Sequence, residues 1–198
     1  MKLKGSEGTG VITSTVRLGF PHFDEPWKSD DSTGEPKYSA MGLVNKSDRD
    51  GIALLEEATE NAKKCQRAEK VWGSKIPKNL RSPLRDGDTE RDTDEHPEYE
   101  DQIFFNANSK NKPKLFKKIA GKVVEASVDD FKAGDYVVLD INFYPYSVSG
   151  NNGIAAGLNG VFKVRDGEPL GGGGASSNAN DFADQADTEE SDYDNMAD

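Results

Sequence analysis

Apolar and polar positions alternate most cleanly over residues 136–146. Val137, Leu139, Ile141 and Phe143 fall on one side, Tyr136, Asp140, Asn142 and Tyr144 on the other. A period of two describes a strand with one buried and one exposed face. A turn at 150–153 and a second run at 154–164 predict its hairpin partner. Residues 10–20 alternate in the same way, with Ile12, Val16, Leu18 and Phe20 on the buried side. Residues 37–44 and 102–108 supply further strands, whereas 21–36, rich in Pro, Gly and Asp, read as a loop around Trp27.

One stretch changes period. Ser47 and Asp48 are N-cap residues for a helix running to about residue 71, with Ile52, Leu55, Ala58, Ala62 and Cys65 as its apolar stripe. Residues 72–101 contain Pro77, Pro83, Pro97 and a dense acid run, and predict an extended, irregular insertion. Residues 108–122 predict a basic hairpin or loop around Phe116, and 129–135 a helical turn. Five or six strands, one substantial helix and a tight late hairpin favour a mainly β, small antiparallel barrel over α/β layers. The domain then spans residues 10–170, with the insertion at 72–101. A flexible arm, 1–9, precedes it, and 171–198 follows as a Gly-rich linker and an acidic segment with the composition of a disordered tail.

Charge sharpens this division. The chain of 198 residues carries −11, but 86–101 and 171–198 hold −8 each, which leaves +5 on the remainder. The tail has eight carboxylates and no Lys or Arg, while 108–122 has six lysines and no acid. Segregation of this kind points to an anionic partner for the basic part and to a tail able to compete for the same place. Cys65 is the single cysteine, so no internal disulfide is expected, in keeping with a reducing cytosol. The start MKLKGSEGTG has no apolar run of a signal peptide, and no stretch approaches ~18 apolar residues, so no membrane partner is expected.

Lys110, Lys112, Lys114, Lys117, Lys118 and Lys122 suit a phosphate backbone, or equally a solvated loop. Aromatic rings interleave with cations: Tyr38 beside Lys37, Trp72 between Lys70 and Lys75, and Phe116 among the lysines. Tyr144 and Tyr146 take the polar face of their strand. Single-strand binders use this combination, with bases stacking for about 1–3 kcal/mol each. The competing reading is that the rings cap the barrel core. It applies most to Trp72 and least to Tyr144 and Tyr146, whose strand already has a buried set. The acids after Asp86 resemble the start of a calcium loop, but Arg91 stands where that loop needs Gly. A magnesium nuclease could use two or three of them; a solvated loop is the simpler reading. His22, His96 and Cys65 make no zinc set, and GGGGASS lacks the ending of a phosphate loop. No catalytic residue, metal or cofactor is expected.

Seven blocks together carry a family resemblance: PKYSA at 36–40, KVWGSKIP at 70–77, PLRDGD at 83–88, NANSKNKP at 106–113, INFYPY at 141–146, GIAAGLNGV at 153–161 and RDGEPLGG at 165–172. Over about residues 13–172 the chain resembles the single-stranded-DNA-binding proteins of tailed bacteriophages. The resemblance implies an OB-fold barrel that coats single-stranded DNA during phage replication and recombination, in the cytoplasm of an infected bacterial host. It also implies a functional acidic tail and leaves room for a homodimer or cooperative assembly on DNA. Lys37, Tyr38, Trp72, Arg85, Lys110, Tyr144 and Tyr146 fall inside the matching blocks as DNA-binding residues. Lys75, Lys112, Lys114, Phe116 and Lys117 join them on chemistry. Many such tails end in an apolar anchor for replication or recombination enzymes. This one ends on Asp198, so docking would fall on Asp192, Tyr193, Asp194 and Met196 just inside it. A metal-dependent nuclease and a structural virion protein remain the alternatives.

Overall fold

The computed structural model describes residues 1–30 and 34–170. Its strands are β1 (Lys2–Lys4), β2 (Gly10–Ile12), β3 (Val16–Trp27), β4 (Lys37–Asn45), β5 (Arg85–Asp86), β6 (Gln102–Ser109), β7 (Lys114–Ile119), β8 (Lys122–Glu125), β9 (Tyr136–Val148) and β10 (Asn151–Arg165). The helices are α1 (Arg49–Lys64), α2 (Gln66–Trp72) and the short α3 (Gly87–Glu90).

The strands close into a ring. β9 pairs with β3, β3 with β4, β4 with β6, β6 in parallel with β10, and β10 with β9 again. The result is the expected OB-like barrel. The alternation of β9 is fully realised: Val137, Leu139, Ile141 and Phe143 are buried, and the intervening residues are half-exposed. They meet Leu18, Val44, Phe105, Ala107, Ile154 and Leu158 inside. α1 lays Leu55, Ala58 and Ala62 against β9, with Asp48 capping its start by accepting from the Gly51 N–H at 3.0 Å.

β6 and β10 meet only at Ala107–Ala156 and Asn108–Gly157. Where they diverge, the 81–86 segment fills the wall. The Arg81 N–H donates to the Asn152 carbonyl, the Ile154 N–H donates to the Arg81 carbonyl, and β5 pairs with Phe104 and Ile103 of β6. The insertion is therefore ordered. It also covers a second apolar cluster, Met41, Leu43, Tyr99 and Phe104, on the outside of β4 and β6.

Other expectations shift. The start of the chain, expected as a free arm, forms β1 on β2. Lys4 meets Asp140 at 2.5 Å, and the Glu7 carboxylate accepts from the Gln66 N–H at 2.7 Å. That last bond caps α2, because the expected single helix breaks at Cys65, whose backbone is extended. The loop expected after residue 20 is instead a continuation of β3. Pro21 and Pro26 are tolerated because the β3–β4 ladder is irregular there, keeping only His22–Ser39 and Trp27–Lys37. The lysine-rich segment is the β7–β8 hairpin. Its two-residue turn places Ala120 and Gly121 at φ 48° and 82°, the left-handed pair of a type I′ turn.

Candidate nucleic-acid interface

The ladder registers set out which side chains share the outer face of the ring. His22 pairs with Ser39, Ser39 with Asn108, Asn108 with Gly157, and Gly157 with Asn142. This row crosses β3, β4, β6, β10 and β9. Beside it run Met41–Asn106 and Ala155–Tyr144, and further along Gly153–Tyr146. Residues paired across a ladder point to the same face.

The outward positions of β10 are thus Gly153, Ala155 and Gly157, while Ile154, Ala156 and Leu158 fill the core. Ala155 lies in the floor of a groove, and the rings of β9 form one wall. The glycines let their neighbours close over β10: a Cβ on Gly153 would come within 2.8 Å of the Tyr146 hydroxyl and the Arg81 carbonyl, and one on Gly157 within 2.7 Å of the Asn142 side chain. Lys37, Asn106, Tyr144, Tyr146, Pro83 and Arg85 line this groove. The Arg67 guanidinium lies 4.8 Å from the centre of the Tyr144 ring, which adds a cation beside the wall.

Four expected residues, Lys37, Arg85, Tyr144 and Tyr146, are therefore brought together. Arg85 is partly committed, since it meets Glu90 at 2.7 Å and covers the Phe104 ring at 4.7 Å. Trp72 takes the capping role that the sequence left open. It packs on the core, and its indole N–H donates to the Tyr146 carbonyl at 3.1 Å, fixing the end of β9. Tyr38 follows the inward parity of Ala40 and Val44 and is half-buried. Lys75 is exposed just beyond α2.

Lys110 lies next to the Lys37 end of the groove, because Tyr38 pairs with Ser109. It is held by Glu35, whose carboxyl it keeps below the usual range by hydrogen bond and charge, and its own pKa is raised in return. Lys112 meets Asp24 at 3.4 Å. Lys114 and Phe116 sit elsewhere, with Val123, Val138 and Phe162, near the opposite ends of β9 and β10. Lys117 faces Asp130 at 2.7 Å. From Tyr144 to Val138 the strand rise is roughly 20 Å, so these three belong to a separate patch. The tail residues Asp192, Tyr193, Asp194, Met196 and Asp198 lie outside the described residues.

The face also holds residues that sequence reasoning passed over: Ser39, Asn106, Asn108, Arg67 and the small positions of β10. A signal existed in GIAAGLNG, where Gly153, Ala155 and Gly157 alternate with Ile154, Ala156 and Leu158.

Comparison with known proteins agrees with this geometry. A family model described as the ssDNA-binding protein of Enterobacter phage Enc34 matches residues 9–193. Protein p50 of Acyrthosiphon pisum secondary endosymbiont phage 1 is 30% identical over 174 residues, covering 84% of this chain and 89% of p50. The single-stranded DNA-binding protein from bacteriophage Enc34, solved in complex with ssDNA, is similar at TM-score 0.67 and 25% identity, over 82% of this chain and 90% of its own. The bacteriophage T7 single-stranded DNA binding protein gp2.5 shares the fold at TM-score 0.54 and 12% identity, over 89% and 93% of the two chains.

Proposed function

The chain belongs to the family of phage single-stranded-DNA-binding proteins represented by that of Enc34, and from that premise we propose that it binds single-stranded DNA across the outer face of the β3–β4–β6–β10–β9 ring. The observation that carries this reading is the groove in which Ala155 lies beside Tyr144 and Tyr146, with Lys37 and Arg85 among its lining. A flat base needs a ring to stack on and room beside it. Lys37, Arg67 and Arg85 supply cations around it, and Lys110 becomes available once a phosphate replaces Glu35. If about four to six phosphates are neutralised, log K should fall against log salt with a slope of about −3 to −4. Binding is insensitive to sequence, since every base offers a π-face.

The protein acts as a binder rather than a catalyst. Three acids of the insertion are engaged by cations: Lys46 meets Asp86 at 2.7 Å and Asp88 at 2.6 Å, and Arg85 meets Glu90. Among the described residues, no three His, Cys, Asp or Glu side chains converge as metal ligands. The biological setting we infer is the coating of phage DNA during replication and recombination in the host cytoplasm. No helix among the described residues is long and apolar enough to cross a membrane.

A gel shift with a strand of about 30 nucleotides, single or duplex, tests the reading. The single strand should shift and remain intact with Mg²⁺ present. A strand left unshifted at low salt would overturn the proposal, and a cleaved one would favour the nuclease. The acidic tail extends it. Its eight carboxylates mimic phosphate, so deleting residues 173–198 should tighten binding at low salt and matter less at high salt. Equal affinity at low salt would remove the competition. Recruitment of replication or recombination enzymes through Tyr193 and Met196 would follow from release of the tail by DNA.

A further inference from the structure

β3 carries two rings that the tyrosine groove does not use. His22 and Trp27 stack with centroids 4.7 Å apart and planes 6° from parallel. Trp27 is 54% exposed, whereas Trp72 is packed and hydrogen-bonded. Burial holds the His22 imidazole below its usual pKa, which keeps it a neutral ring at neutral pH. The registers Trp27–Lys37 and His22–Ser39–Asn108–Gly157 place this stack at the β3 edge of the same outer face. Followed around the ring through β4, β6 and β10, four strand spacings lead from β3 to β9, an arc of roughly 19 Å. Asp24 and Glu35 nearby are taken up by Lys112 and Lys110, and Glu25 stays exposed. This end offers a phosphate Lys37, with Lys110 and Lys112 engaged by those acids, and it offers a base a supported indole.

We propose that the His22–Trp27 stack is a second base-stacking platform, so that a bound strand crosses the whole face from Tyr144 to Trp27. The proposal rests on the reading of that face as a single-stranded-DNA site and adds its far end. A short strand seated at the tyrosines should ignore Trp27; a longer one should use both ends.

The test titrates the full-length protein with oligothymidylates of about 4 and about 15 nucleotides. Trp27→Ala should weaken the longer strand roughly 5- to 150-fold and leave the short one unchanged, and Trp27→Phe should restore most of the loss. In a Trp72→Phe background, where Trp27 is the sole tryptophan, the longer strand should quench the emission and the short one should not. Wild-type affinity of Trp27→Ala for the longer strand overturns the proposal. So does Trp27 emission unmoved at saturation. Failure of the wider reading is distinguishable, because the wild-type protein would then bind neither length.

Discussion

Replacing Tyr144 by alanine removes a wall of the groove without touching the barrel interior. The buried set of β9, Val137, Leu139, Ile141 and Phe143, stays in place. What folding loses is the Arg67 contact at 4.8 Å, worth about 0.5–1 kcal/mol at a partly exposed site. Cross-strand packing on Ala155 adds about 0.2–1 kcal/mol. The expected destabilisation is therefore about 1–2 kcal/mol, which leaves a domain of this size folded. The binding loss is larger in proportion: one base deprived of its ring costs about 1–3 kcal/mol, or roughly 5- to 150-fold. Tyr144→Phe should keep most of the affinity, since the π-face does the stacking. The ring neutralises no phosphate, so the salt slope should not change, whereas Lys37→Ala should flatten it by about 0.7. Fluorescence anisotropy with a labelled oligothymidylate at four salt concentrations reads both quantities. Affinity within twofold of wild type for Tyr144→Ala, or a slope flattened as in the lysine variant, would refute the assignment of this ring to base stacking.

Two further outcomes concern the frame that carries the site. Asp135 is 1% exposed, accepts from the N–H groups of Lys132 and Gly167, and meets Lys163 at 2.9 Å. Asp135→Ala leaves the two backbone N–H groups without this acceptor, while Lys163 keeps Asp166 at 2.7 Å, and should cost about 3 kcal/mol in urea unfolding; a loss under about 1 kcal/mol would contradict it. The Lys46 ammonium holds Asp86 and Asp88 below the usual carboxylate range by hydrogen bonds. Folded-state values below the unfolded ones stabilise above the unfolded pKa of about 3.9 and fade as pH falls through the folded values. Lys46→Met should therefore be less stable than wild type at pH 7, with the gap closing in acid. A gap constant down to about pH 2.5 would rule the linkage out.

The sequence displayed the core more fully than the site. β9 could be read because its period of two is unbroken and its buried residues are large. Tyr144 and Tyr146 followed from the same parity. The Trp27 stretch was hidden because Pro21 and Pro26 argue against a strand, and only an irregular ladder accommodates them. β1 was hidden because Leu3 is its single apolar residue; it is held by pairing, by Lys4 with Asp140 and by Glu7 at α2. The lysines show the limit of composition. One basic run in sequence becomes two locations, since a hairpin carries Lys114 and Lys117 away from Lys110. Charge counting also could not foresee that Glu35 and Asp24 would come to lie against Lys110 and Lys112.

The narrow meeting of β6 and β10 gives the barrel a seam. β9 and β10 run together along nearly their whole length, yet Ala156 and Gly157 alone join β10 to β6, and the 81–86 segment buttons the gap. A rolled sheet fastened in this way should come undone at its fastening first, with amide exchange fastest around Arg81 and Arg85. The button also reaches the groove, through Pro83 and Arg85. A strand of DNA lying there would grip both sides of the seam, so occupancy of the groove and closure of the barrel become one equilibrium, each drawing the other forward.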